Sequence, residues 1–241
     1  MNKPLLLDTF CSAGGCTRGY QMAGFKVVGN DINPQKHYIG DDFILGDALI
    51  LLSELLEGKE VGKRGYRLRE FDVIHASPPC QGYSRLRHLP WLKGKKWPLL
   101  IEPCRTLLQA TGKHFIIENV EDAPLDGIIL CGQMFGLPLY RHRKFELNLF
   151  MLCPSHPKHT VVIGHGRLVN DRRKGTLNNS SAKGAWGKQT IVTVAGGQYK
   201  KADGEKAMRI DWMTKDELSE AIPPAYCEWI GKQLVARIFP C

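Results

Sequence analysis

Nowhere in the 241 residues do ~18 consecutive apolar residues occur, so the sequence predicts no membrane-spanning helix. The apolar start Pro4-Leu5-Leu6-Leu7 meets Asp8 at once, too short for a signal-peptide core, and a cytoplasmic location is expected. No Gly-x-x-x-x-Gly-Lys-Ser/Thr loop is present, which disfavours phosphate-cradling NTPase chemistry. The full Gly-x-Gly-x-x-Gly fingerprint is missing too, which disfavours an ordinary dinucleotide site. There is no internal repeat and no low-complexity tract. With 43% hydrophobic and 24% charged residues, the chain reads as neither disordered nor collagen-like. The eight cysteines do not suggest a secreted disulfide framework, because the chain is large and shows no signal peptide. Cys104 and Cys227 lie in apolar patterns and read as small core residues.

Acidic residues are also scarce where basic ones gather. The net charge is +9, yet Cys80–Trp97 holds Arg85, Arg87, Lys93, Lys95 and Lys96 with no acid. Pro154–Gln189 holds seven Lys and Arg, among them Arg167, Arg172 and Arg173, against Asp171 alone. The remainder is near neutral. Two basic blocks on a neutral body are the footprint of a polyanion such as nucleic acid.

Apolar runs over Pro4–Phe10, Phe25–Gly29, Asp42–Gly46, Phe71–Ser77, His114–Val120, Ile128–Leu130 and Phe145–Leu149 read as strands. Between them, Arg18–Ala23, a segment capped by Asp47, and a segment opened by Pro103 read as helices. This alternation predicts an α/β fold with a doubly wound, mostly parallel sheet. Pro154–Gln189 has little periodicity and reads as an irregular insertion. Order resumes at Ile191–Val194, Thr214–Glu217 resembles a capping box, and Pro223-Pro224 opens a final helix. In such sheets ligands sit at the carboxyl ends of strands. The Gly14-Gly15 turn, Asp31, Asp47, Cys80 and Glu118 all fall at such ends.

Each of these features has a chemical reading and a plain one. A carboxylate at Asp31 can accept hydrogen bonds from ribose hydroxyls, so an adenosine-bearing cofactor without a pyrophosphate fits, with Asp47 near the purine. The plain alternative is a glycine turn and two capping aspartates. Pro78-Pro79 fix the backbone that presents Cys80, and five cations follow, a setting for a nucleophilic thiolate; otherwise it is a small buried thiol. Glu118, directly after an apolar strand, reads either as a cap or as a general acid with a pKa raised by burial. Arg141 and Arg143 alternate into a strand and point the same way, as a phosphate or carbonyl grip or an exposed basic edge.

Asp8-Thr9-Phe10-Cys11-Ser12-Ala13-Gly14-Gly15, Pro78-Pro79-Cys80-Gln81-Gly82-Tyr83-Ser84, Glu118-Asn119-Val120, Arg141-His142-Arg143 and Ala221-Ile222-Pro223-Pro224 together resemble the ordered motifs of cytosine-5 DNA methyltransferases. The resemblance covers nearly the whole chain outside Pro154–Gln189, and the compact form is most similar to phage or prophage members. It implies a Rossmann-like class I fold and S-adenosylmethionine as cofactor. Residues 1–150 and 190–241 would form the catalytic domain, and 151–189 a small target-recognition insertion. Cys80 would attack carbon 6 of a flipped-out cytosine, Glu118 would hydrogen-bond and protonate N3, Arg143 would hold the carbonyl oxygen, and Arg141 would support a phosphate. Phe10, Ser12, Ala13, Gly14, Gly15, Asp31, Ile32, Asp47, Ala48, Pro78, Ala221 and Ile222 would frame the cofactor. Gln81, Ser84, Arg85, Arg87, Lys93, Arg167, Arg172 and Arg173 would contact double-stranded DNA, with the protein acting as a monomer in the cytoplasm (the host's, if phage-encoded).

The sequence departs from the family pattern at Ser12, where Gly is common, at Leu139, where Gln is common, and at Glu220, where Asn is usual. The segment between Asn119 and Arg141 is short, so a helix common in the family is expected to be missing. An insertion of about 36 residues can read only a few base edges, so a short target sequence is expected. RNA methylation and a catalytically silent nucleic-acid-binding relative are the alternatives. Cys153, His156 and His159 have local metal-ligand spacing and, with Cys131, would make a structural zinc site; no metal is otherwise expected.

Overall fold

The structure, a computed structural model, describes residues 3–88, 90–92, 94–159, 163–164, 191–195 and 199–238. Parallel strands buried on both faces need helices on both sides, and the chain provides them. β1 (Leu5–Thr9), β2 (Lys26–Asp31), β3 (Asp42–Leu45), β4 (Val73–Ala76), β5 (His114–Asn119), β6 (Ile128–Cys131) and β7 (His142–Leu147) form one sheet in the order β3-β2-β1-β4-β5-β7-β6. The first five are parallel to their neighbours; β7 runs antiparallel to both β5 and β6.

Successive residues of a strand face opposite sides, and β1 divides accordingly. Leu7 joins Val28 and Ile74 in a core closed by α2 (Ala48–Leu56) and α3 (Ile101–Ala110). Leu6 joins Val27, Val73 and Ile116 in a core on the other face, closed by α1 (Gly15–Met22) and the last helix, Pro224–Ile238. This is the doubly wound Rossmann-like arrangement the alternation predicts. Asp47 caps α2, accepting from the Leu49 and Ile50 amides at 2.8 and 3.1 Å. Thr214 and Glu217 form the expected capping box.

The terminal helix folds back beside the first glycine turn because two glycines let it approach. A Cβ at Gly15 would lie 2.5 Å from the Ile222 carbonyl oxygen, and one at Gly19 2.2 Å from that of Pro224. That contact brings Ala221 and Ile222 to the strand ends.

Several boundaries differ from the sequence expectation. α1 starts at Gly15, three residues before Arg18, because the turn itself coils into the helix. β7 starts at His142 instead of Phe145, since its polar first residues pair with the apolar strand β6 and carry no hydrophobic signal of their own. A short helix, α4 (Lys201–Met208), precedes α5 (Lys215–Glu220) and was not expected. It buries only Gly204, Ala207 and Met208, too small an apolar face to leave a clear period. A two-residue pair, β8 (Ile163–Gly164) with β9 (Ile191–Val192), lies apart from the main sheet, and the last helix is α6. Between Asn119 and Arg141 there is no α-helix, only a 3-10 turn at Gly132–Phe135. Among the described residues no helix is long and apolar enough to cross a membrane.

Candidate active site

Three neighbouring parallel strands, β1, β4 and β5, end at one edge of the sheet, and a cavity of about 420 Å³ opens there. Its wall includes Cys80, Glu118 and Arg143. Cys80 heads a turn: the Tyr83 and Ser84 amides donate to its carbonyl at 3.0 and 2.9 Å. The turn is fastened to the strands, since Asn119 Nδ2 donates to the Pro78 carbonyl at 2.8 Å. Glu118 is buried at the end of β5. Arg143 reaches it from β7, with Nε 3.1 Å from Glu118 Oε1. Diagonal neighbours on one face of an antiparallel pair are within reach of such long side chains, and β5 and β7 supply that pairing.

The electrostatics follow from burial. Desolvation raises the Glu118 pKa, against Arg143 and a hydrogen bond from Ser77. Burial also pushes the Cys80 thiol up, and Glu118 adds to this while Arg143 and Arg141 pull it down. Burial thus works against the ionised form of both groups, and Arg143 is placed to favour it.

A second, more open cavity of about 720 Å³ adjoins the first and shares Cys80, Arg143, Ser219 and Glu220 with it. The thiol therefore faces two compartments.

The expected cofactor residues separate into two groups. Phe10, Ser12, Gly15, Asp31, Ile32 and Pro78 lie on the wall of the first cavity, as do Gln81, Ala221 and Ile222. Phe10 and Ser12 have φ of 59° and 47°, left-handed values unusual outside glycine. Asp31 holds this turn, accepting from the Ser12 amide at 3.1 Å and from the Asn33 amide at 2.9 Å. Ala13, Gly14, Asp47 and Ala48 are not on the wall. Ala13 is packed under Trp212, whose Nε1 donates to its carbonyl at 2.9 Å. Asp47 is engaged in capping α2 and borders a different depression, with Phe43 and Gly46.

Arg141 differs from its expected role on a phosphate. Its guanidinium is buried and donates to the Val194 and Ser219 carbonyls; Tyr226 in turn donates to the Arg141 carbonyl at 2.6 Å. Burial and the neighbouring Arg143 lower its pKa to about 9. Arg141 thus fastens the chain around residues 194 and 219 to the sheet edge, because those carbonyls have no strand partner to satisfy them.

Of the expected DNA contacts, Ser84 and Arg85 line the open cavity. Arg85 is exposed and pairs with Asp122 at 2.6 Å, while Arg87 donates to the Gly82 carbonyl at 2.8 Å. Lys93, Arg167, Arg172 and Arg173 lie outside the described residues, as does most of the proposed recognition insertion at 151–189.

Sequence reading missed Asp8, His75 and Ser77. His75 lies within β4 with its Nδ1 2.8 Å from the Tyr20 hydroxyl and its Nε2 2.8 Å from Ser77 Oγ. Burial lowers the His75 pKa to about 3, so the ring is neutral. With Ser77 donating to Glu118, the consistent polarity has His75 Nε2–H donating to Ser77 and Tyr20 O–H to Nδ1. An uncharged file of hydrogen bonds thereby orients Glu118. Asp8 is fully buried; one oxygen accepts from Thr17 Oγ1 at 2.6 Å and the other has no partner. In sequence it is one more residue of an apolar strand, which is why no signal marked it.

Comparison with known proteins gives this geometry a family. Residues 5–123 match the family described as C-5 cytosine-specific DNA methylase. That stretch, just under half of the chain, holds the Pro78-Pro79-Cys80 turn, and it is this family that the chain is similar to. It is 27% identical over 149 residues to the Type II methyltransferase M.XorII of Xanthomonas oryzae pv. oryzae, and 24% identical over 196 residues to the Type II methyltransferase M.AgeI of Thalassovita gelatinovora. These matches cover 60% and 69% of this chain but only 31% and 45% of the two relatives. Among solved structures, a candidate DNA modification methyltransferase encoded within an E. coli prophage has a TM-score of 0.55 at 14% identity, over 96% of this chain and 98% of that one. The Dnmt2 methyltransferase of S. pombe has a TM-score of 0.58 at 12% identity, over 99% and 100%. At these identities the likeness concerns fold, and it puts the sheet among class I S-adenosylmethionine-dependent methyltransferases.

The departures from the family pattern acquire physical content in the structure. Ser12 occupies a left-handed position that glycine would adopt without strain. Leu139 is buried and bridges to Val192. Glu220 lies in the wall shared by both cavities, its pKa raised by burial and by Asp31 and Asp216.

Asp8 leads to a test of the electrostatics. Burial, with Glu118 and Asp31 adding to it, raises its pKa to about 7. A carboxyl raised in the folded state contributes stability that is fully present below the unfolded value of about 3.9 and is lost as pH rises through about 7. Asp8→Asn should therefore gain stability relative to wild type as pH goes from about 4 to about 7. Urea unfolding of both proteins across that range checks this; a difference that stays flat would contradict the buried, raised carboxyl.

Proposed function

We infer that the protein methylates carbon 5 of cytosine in DNA through a transient bond between Cys80 and the base. The observation that carries this reading is the convergence of Cys80, Glu118 and Arg143 at the junction of the first cavity and the more open one. A cytosine cannot reach Cys80 from within a duplex, so the base must be everted into the open cavity, at a cost of a few kcal/mol. There, Cys80 Sγ adds to carbon 6. The ring accepts the electron pair because Glu118 donates a proton to N3, and Arg143 holds the carbonyl oxygen. Carbon 5 becomes nucleophilic. After methylation a water or base takes the carbon 5 proton, the electrons of that bond expel the thiolate, and N3 returns its proton to Glu118.

The first cavity suits S-adenosylmethionine. Asp8, Asp31, Glu118 and Glu220 face it against Arg143, giving an acidic compartment in a protein of net charge +9. A cofactor carrying both a sulfonium and an ammonium matches that sign, and the partnerless buried oxygen of Asp8 leaves an acceptor available. Phe10 and the 65% exposed Ile32 offer apolar surface for the purine, and Asp31 accepts from the ribose. When bound, the cofactor supplies an electrophilic methyl group. Outside the cavities, the basic stretch from Gly82 to Trp97 and the segment 151–189 would meet the DNA backbone and read a short target.

Trapping on a 5-fluorocytosine duplex tests the proposal, since fluorine at carbon 5 cannot leave as a proton does. A covalent complex with DNA, formed only with S-adenosylmethionine present, is the expected result. A complex with RNA alone would transfer the activity to RNA, and none with either would mark a silent binding protein.

A further inference from the structure

A second cluster of reactive side chains lies at the far edge of the sheet and touches the open cavity only through His142. Cys131 ends β6 and His142 begins β7, and the two are register partners. His156 and His159 come from the chain that follows β7. The Cys131 sulfur and one ring nitrogen from each histidine all lie within 4.8 Å of one another. His142 Nε2 is 2.9 Å from His156 Nε2 and 3.1 Å from His159 Nε2, and Cys131 Sγ is 3.8 Å from His159 Nε2.

Hydrogen bonding among neutral rings does not account for this convergence. His159 Nδ1 faces Gln133 Oε1, an acceptor, so it carries the proton and leaves Nε2 bare. His142 Nε2 faces two other ring nitrogens and has at most one hydrogen, so only one of its contacts can be a well-formed bond. A cation at the centre satisfies all three nitrogens and the sulfur together. Tetrahedral Zn–N and Zn–S bonds of about 2.0–2.3 Å set ligand-to-ligand edges of about 3.3–3.6 Å, and the spacings of 2.9, 3.1 and 3.8 Å bracket that range, so small side-chain shifts would close the site on an ion. Gln133 then acts as the outer partner that fixes the ring of a metal-bound histidine, and Tyr140 packs its ring edge-on against His142 and His159.

We propose that Cys131, His142, His156 and His159 bind one zinc ion in a closed structural site. One thiolate and three imidazoles in a tetrahedral arrangement select zinc over hard cations, and four protein ligands leave no open position for catalysis. The ligand set corrects the sequence-based one. Cys153 is exposed, with its sulfur toward the Ile129 carbonyl at 3.8 Å, and His142 takes its place. The ion ties the start of the 151–189 segment to the strand that carries Arg143, the residue after His142. Register made this possible: pairing Cys131 with His142 across the ladder is invisible in the linear spacing.

Metal content of the untagged full-length protein, purified from zinc-supplemented cells and dialysed, is the test. About one zinc per chain is expected. Replacement by cobalt should give the visible bands of a tetrahedral site and a near-ultraviolet sulfur-to-metal absorption. Cys131→Ser should abolish the latter and Cys153→Ser leave it intact. His156→Ala, at an exposed position, should lower zinc affinity at least tenfold while the far-ultraviolet circular dichroism stays native. Absence of stoichiometric zinc, retention of it in the His142→Ala/His156→Ala double variant, or its loss on Cys153→Ser would overturn the assignment.

Discussion

Cys80→Ala is expected to reduce cytosine methylation on the order of 10⁴–10⁶-fold, the scale on which removal of a covalent nucleophile acts. Among the described residues no other thiol lines the two cavities at the strand ends except Cys11 and Cys16, both buried and both with pKa values raised well above the ordinary thiol range by burial. Cys80 is only partly buried and is the one with two arginines lowering its pKa. Its side chain makes little contribution to packing, so the variant should unfold within about 0.5 kcal/mol of wild type. S-adenosylmethionine binding, followed by calorimetry, should persist, because the acidic face of the cavity is untouched. A variant that still turns over at more than a hundredth of the wild-type rate would sink the covalent route.

The second large effect belongs to Glu118→Gln. The amide preserves size but cannot deliver a proton to N3, and loss of general acid assistance costs about 10²–10⁴-fold in kcat. The substitution also removes the partner of the Arg143 guanidinium at 3.1 Å. Gln retains an acceptor oxygen there, so the fold is expected to survive where alanine would leave a buried cation unpaired. Single-turnover measurement at saturating cofactor separates this from binding. KM for DNA should change little, because Glu118 is buried in the cavity wall and not on the protein surface. A fall in kcat of less than about tenfold would remove Glu118 from the proton-transfer role.

Much of this site could be read from local sequence because its parts sit where secondary structure ends. Pro78-Pro79 must stop β4, so Cys80 is presented on a loop. Glu118 follows an apolar run, so it lies at the strand end. The small residues around Gly14 and Gly15 announce a tight turn, and Pro223-Pro224 a helix start. In each case the local chemistry permits few alternatives.

What escaped reading depends on contacts between distant segments. Arg141 and Arg143 look equivalent in sequence, yet one fastens two carbonyls and the other faces Glu118, because β7 starts between them. Asp47 is compatible with both a cap and a ligand contact, and the geometry favours the cap. His75 and Asp8 lie inside strands where apolar residues are the rule. Only the helix packed above them supplies the Tyr20 and Thr17 hydroxyls that make polar burial tolerable.

Alternation of apolar runs and helix caps by itself determined the doubly wound sheet, its acidic and thiol-bearing edge, and the start of the final helix. Those features rest on periodicity and backbone stereochemistry, which act over a few residues. Tertiary structure alone decided which carboxylates share a cavity, which arginine meets Glu118, and which cysteine joins the histidines. Such choices are made by strand register and by the packing of α1 and α6 across the sheet, interactions between residues tens to hundreds of positions apart that no local pattern encodes.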